Sequence, residues 1–137
     1  MPRKQGLKLK GQEISFAAYS ELKAFCLQYN EKKKRLKDLY GFTSERDPGM
    51  PKGNMCADPT AHRAEVAAKL STDVELIEKT AQEVDASIAN YLLKNVTEEW
   101  TWDAMKLHYN IPIGRRQFYA ARKNFFFLLA LRKGMIE

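Results

Sequence analysis

Residues that carry chemistry are scarce in this chain. There are two cysteines and two histidines, and neither type is clustered. Cys26 and Cys56 are far apart, with no CxxC pair and no histidine at ligand spacing, which excludes the clustered zinc pattern and a disulfide framework. His62 and His108 form no HExxH, and the sequence has no nucleophile elbow and no glycine-rich phosphate loop. The carboxylate pairs Glu75/Glu78 and Glu98/Glu99 lack a histidine partner or an aspartate-rich loop. The expectation is a protein without catalytic residues, metal or cofactor. No apolar run reaches about 18 residues, so no membrane span is expected. The basic N-terminal residues are not followed by an apolar stretch of signal-peptide type, which points to a cytoplasmic setting.

Charge, by contrast, is abundant and unevenly placed. The 137 residues carry 23 basic and 17 acidic side chains. Residues 1–46 hold 11 basic and 5 acidic groups, 47–110 hold 6 and 11, and 111–137 hold 6 and 1. An acidic middle between two basic ends fits a protein that presents those ends to a polyanion, although solubility alone also favours such a balance.

Periodicity predicts an all-α fold. Residues 1–13 are basic and polar, with little to order them. Beyond Ser15, Tyr19, Leu22, Cys26 and Tyr29 recur at three and four, and Leu36, Leu39 and Tyr40 continue past the basic run 32–37. This pattern describes one amphipathic helix, or two with a break near Asn30. The stretch 41–59, with three glycines and three prolines, reads as a linker or loop between a 1–40 region and a 60–137 helical domain. Asp58-Pro59-Thr60 resembles a helix entry, capped by Asp58 or Thr60. The apolar stripe from Ala64 through Val74, Ile77, Ala81 and Ile88 sustains a helix to about Leu93, with an interruption expected at Ser71-Thr72-Asp73.

The segment 98–132 carries the functional signal. Thr97 followed by Glu98, Glu99 and Trp100 looks like a capped start, giving a helix to Tyr109. Asn110-Ile111-Pro112-Ile113 ends it, with both isoleucines facing inward, and Gly114 opens a second helix as a weak cap. Two helices joined this closely match a helix-turn-helix. On the second helix Phe118, Ala121, Phe125, Leu128 and Leu129 make an inward stripe. Arg115, Arg116, Gln117, Tyr119, Arg122 and Lys123 form the candidate DNA-binding set, mostly in its first two turns. Arginine matches guanine in a bidentate pair and glutamine matches adenine. Arg122 and Lys123 suit phosphate, and Tyr119 suits sugar or phosphate. Phe126 and Phe127 exceed what one inward stripe holds, so at least one should meet another segment or subunit.

The stretch Trp102-Asp103-Ala104-Met105, Tyr109 to Ile113, Arg115 to Tyr119 and Arg122 to Leu129 resembles phage late-transcription regulators of the RinA and ArpU type. Their C-terminal module is similar to region four of sigma factors. Asp58-Pro59-Thr60 before an alanine-rich helix is similar to that family's middle segment. The resemblance implies a sequence-specific duplex-DNA-binding protein of phage or prophage origin, acting on late-gene transcription in a bacterial host cell. It places Arg115, Arg116 and Tyr119 on the reading side and Arg122 and Lys123 near phosphate, with RNA polymerase or a second copy of the chain as further partners. Two rivals stand beside it: a small terminase-like DNA-packaging subunit, and a helical structural or protein-interaction module.

Overall fold

The computed structural model describes residues 6–9, 11–44 and 59–136. These are mostly helical, with one small hairpin that the sequence pattern did not suggest. Strands β1 (Leu7–Leu9) and β2 (Gln12–Ile14) pair antiparallel with Leu7 opposite Ile14 and Leu9 opposite Gln12. Gly11 turns the chain with φ of 84°, a backbone state that glycine adopts without steric cost. At Gly6 a Cβ would lie 1.7 Å from the Ile14 carbonyl oxygen, so the strand ends approach this closely only because the side chain is missing. Ile14 is buried, and Leu7 and Leu9 pack against the core. The leader is thereby fastened to the helical body.

Ser15 starts α1 (Phe16–Leu27) by accepting the Ala18 amide on Oγ at 3.1 Å. The chain breaks at Gln28 and continues as α2 (Tyr29–Ser44), so the two-helix reading holds, with the break two residues early. Helix α2 also takes in residues 41–44, which the sequence reading gave to the linker. Residues 45–58, including Cys56 and the Asp58 cap, lie outside the described residues.

Helix α3 (Pro59–Val84) runs 26 residues without interruption. The expected break at Ser71-Thr72-Asp73 does not occur, because Thr72 turns its hydroxyl back to the Ala68 carbonyl at 2.9 Å and so satisfies itself within the helix. The break comes instead at Asp85, whose carboxylate accepts the Ser87 amide and hydroxyl at 3.0 and 2.6 Å and opens a short 3-10 turn, Ala86–Ile88. Helix α4 (Ala89–Glu98) follows. Helices α2 and α3 run antiparallel: Tyr29 donates to Glu78, and Lys32 meets Asp73 at 3.0 Å.

Helices α5 (Trp102–Tyr109) and α6 (Arg115–Arg132) complete the chain. Helix α6 is the centre of the packing, with α1, α3, α4, α5 and β1 all against it. Three successive positions on a helix sweep about 200°, yet Phe125, Phe126 and Phe127 are all buried. That is feasible only for a helix enclosed on more than half its circumference. Phe126 meets Tyr19 of α1 edge to face, with ring centroids 5.3 Å apart, the contact with another segment that the surplus aromatics implied. Each such ring contributes about 2–3 kcal/mol through burial. Cys26 lies within this core, and burial pushes its thiol up to about 12 against the opposing pull of Arg122, Lys133 and Lys32.

Candidate nucleic-acid interface

The start of α5 is set by residues different from those the sequence suggested. Thr97 is not a cap: it lies in the last turn of α4, buried, and its hydroxyl donates to the Leu93 carbonyl at 2.6 Å. Helix α4 ends at Glu99, which takes the left-handed conformation at φ 61°. The true cap is Thr101, whose Oγ1 accepts the Ala104 amide at 3.1 Å. The Thr-Glu-Glu pattern and the Thr-Trp-Asp pattern carry nearly the same local signal. Burial of Val96 and Thr97 decides between them by extending α4 past the first threonine.

Asn110, left-handed at φ 50°, closes α5. The five residues from Asn110 to Gly114 then turn the chain into α6. Ile111 is fully buried and Ile113 partly buried, as their apolar character inside a turn required. The corner is clamped from both sides. The Trp102 indole donates to the Ile113 carbonyl at 2.9 Å, and the Trp102 amide donates to the Tyr119 hydroxyl at 3.2 Å. Asp103, in the first turn of α5, pairs with Arg115 in the first turn of α6, and the Arg115 guanidinium lies 5.5 Å from the Trp102 ring centroid.

Of the six candidate residues, four are exposed in the first two turns of α6. Arg115 is 60% exposed despite its ion pair. Arg116 is exposed and makes no ion pair or hydrogen bond among the described residues. Gln117 is exposed and turns its side-chain oxygen back to the Gly114 amide at 3.4 Å, supplying part of the capping that glycine lacks. Tyr119 is 39% exposed, with its hydroxyl engaged by Trp102.

The other two differ from expectation. Arg122 does not project outward: it is half-buried, donates from Nε to Asn95 Oδ1 at 2.6 Å and from Nη1 to Tyr19 at 2.9 Å, and lies 4.8 Å from the Phe126 ring. Asn95 in turn donates to the Trp100 carbonyl at 2.7 Å. Arg122 therefore ties α1, α4 and α6 together and fixes the corner before α5, internal bonds that its expected place near phosphate did not include. Helical spacing alone hides this, because position 122 lies near the edge of the inward stripe. Lys123 is half-buried beside the hairpin, in a groove shared with Lys8 and Glu13.

The sequence reading missed two neighbours of this surface. Lys8 reaches α6 only because the hairpin folds. Lys94 lies 4.9 Å from the Tyr109 ring and 5.6 Å from the Trp100 ring, next to the exposed His108 that stacks edge-on against Trp100. Pairing of the aromatic residues across the α4–α5 corner was the available signal. Leu107 is 81% exposed on the outer face of α5.

Among the described residues no three histidine, cysteine or acidic side chains gather as metal ligands, and no helix is long and apolar enough to cross a membrane. The chain matches no family model, no curated protein and no solved structure.

Proposed function

We propose that the protein is a sequence-specific duplex-DNA-binding regulator of phage or prophage late-gene transcription, of the RinA/ArpU type, acting without catalysis. In this reading α5 and α6 are a helix-turn-helix and α6 is its reading helix. The observation that carries it is the division of α6 along its length. The first turn exposes Arg115, Arg116 and Gln117 beside the buried Phe118, while the later turns are fixed in the core by Phe125, Phe126 and Leu129. Arg115 and Arg116 stand at the helix N-terminus, where the helix dipole disfavours cations, and a reading helix enters the groove by that end.

The contacts divide by chemistry. Arg116, unpaired, reads guanine or grips phosphate without first breaking an internal bond. Arg115 exchanges an exposed carboxylate, Asp103, for a phosphate, which costs little because both groups are already in water. Gln117 leaves a long hydrogen bond to reach a base edge. Tyr119 and Arg122 act through position: one holds the start of α5 and the other holds the α4 corner. A single short reading segment offers modest specificity, so a second copy of the chain or RNA polymerase supplies the remainder.

Selection of bound duplexes from a random pool by the full chain tests the reading, with the mass of the complex measured in solution. A defined site bound by a monomer or dimer is expected. A large ring on DNA replaces regulation with packaging. No duplex binding even at low salt removes both readings and favours a protein-interaction role.

A further inference from the structure

A second charged surface lies at the opposite end of α6, distinct from the proposed DNA contact. An open cleft of about 680 Å³ lies between α1, α2, α3 and the residue after α6, lined by Phe25, Lys32, Arg35, Glu65, Lys69 and Lys133, among others. That volume is within the range of small-molecule sites. Its charge is not balanced. Lys32 is matched by Asp73 at 3.0 Å, whereas Arg35, Lys69 and Lys133 form no ion pair among the described residues and face one carboxylate, Glu65.

Two ammonium groups also share one aromatic ring. Lys133 Nζ is 3.8 Å and Lys32 Nζ 4.2 Å from the Phe25 centroid. One cation on a ring is favourable, and the second adds positive charge to the cleft, with Asp73 at hydrogen-bond distance from Lys32 alone. Lys133 is not on a frayed end. Its amide bonds to the Leu129 carbonyl at 2.9 Å, Gly134 follows at φ 72°, and the Met135 amide returns to the Ala130 carbonyl at 2.8 Å. This is a closed helix terminus that holds the lysine in place. Val66 and Leu70 extend the apolar wall beside Phe25.

We infer that this cleft binds a small organic phosphate, with the phosphate against Lys133, Arg35 and Lys69 and an apolar body against Phe25, Val66 and Leu70. A guanidinium and two ammonium groups lining one cleft suit a doubly charged phosphate better than a carboxylate, because the fork and the point charges can engage separate oxygens. The apolar wall distinguishes an organic ester from a bare ion.

Calorimetric titration of the full chain with phenyl phosphate, inorganic phosphate and phenol tests this. Phenyl phosphate should saturate one site at least tenfold more tightly than either fragment. Lys133→Gln and Arg35→Gln should each weaken it roughly tenfold with an unchanged unfolding midpoint, while Lys79→Gln, outside the cleft on α3, should leave it unaltered. Equal affinity for inorganic phosphate reduces the cleft to a simple anion site and overturns the inference. So does an equal response of all three variants, or absence of binding. Vesicles of phosphatidic acid and phosphatidylcholine separate a soluble ester from a lipid headgroup. The expected pair is phenyl phosphate binding without sedimentation on vesicles, and sedimentation without phenyl phosphate binding contradicts it.

Discussion

Replacing Arg122 by alanine distinguishes a scaffold arginine from a DNA-contacting one. The side chain makes two hydrogen bonds, to Asn95 Oδ1 at 2.6 Å and to Tyr19 at 2.9 Å, and covers the Phe126 ring. Its removal leaves the Asn95 oxygen facing a site where the residue is only 9% exposed. Hydrogen bonds from a charged donor contribute about 1.5–3 kcal/mol each. Partial solvent access to the guanidinium and the chance for water to replace it bring the expected loss to roughly 2–3 kcal/mol in total. For a chain of this length that corresponds to a fall in melting temperature of roughly 6–10 °C. Urea unfolding followed by circular dichroism gives the free energy directly. Arg122→Lys should recover little of it, because an ammonium cannot reproduce the planar fork. A change below about 0.5 kcal/mol, within the range of an ordinary surface substitution, would refute the scaffold role. Together with weakened DNA binding, that result would return Arg122 to the phosphate contacts.

Three further perturbations test the framework. Phe126→Ala should cost about 3–5 kcal/mol in urea unfolding, as a buried ring packed on Tyr19 leaves a cavity. Thr101→Ala should cost about 1 kcal/mol through loss of the α5 cap, and Thr97→Val should cost less than half of that. The opposite order would restore the sequence-based start of α5. Burial raises the Cys26 thiol from an ordinary 9.0 to about 12, so the unfolded chain gives up this proton before the folded chain does. The contribution is therefore complete below pH 9 and is lost as the pH rises. Between pH 9 and 10 this thiol should lower the unfolding free energy by about 1 kcal/mol, a part of the fall that Cys26→Ala removes. A flat wild-type profile there would contradict the burial of the thiol.

Local periodicity and turn chemistry were legible in the sequence where they acted alone. The bounds of α6 and the inward turn of Ile111 followed from apolar spacing and from Pro112. The break before Tyr29 was found to within two residues. What remained hidden depended on contacts between distant segments. Thr97 and Thr101 offer competing caps, and the choice is made by the burial of the last turn of α4 at Val96 and Thr97. Ser71 to Asp73 carries a breaker's composition, but the flanking stripe against α2 keeps α3 whole, and the break moves to Asp85 where the side chain can cap a new turn. The hairpin is too short for its alternation to stand out, and it becomes visible only once Ile14 enters the core. Arg122 is the clearest case: its partners Tyr19 and Asn95 are remote in sequence, so a surface role was the only one that helical spacing could suggest. The exposed Arg115, Arg116 and Gln117, which need no such partners, were found from spacing alone.

In the exposed first turn of α6, Arg116 is the cleanest probe of DNA contact because it holds no internal partner among the described residues. Fluorescence anisotropy should be measured on the duplex recovered by selection, with wild-type chain and Arg116→Ala. Binding should be saturable and weaken steeply with salt, with a loss of about tenfold or more for Arg116→Ala, equivalent to roughly 1–3 kcal/mol, at an unchanged unfolding midpoint. Equal affinity of the two proteins, or no saturable binding by the wild type at low salt, would contradict DNA reading by α6.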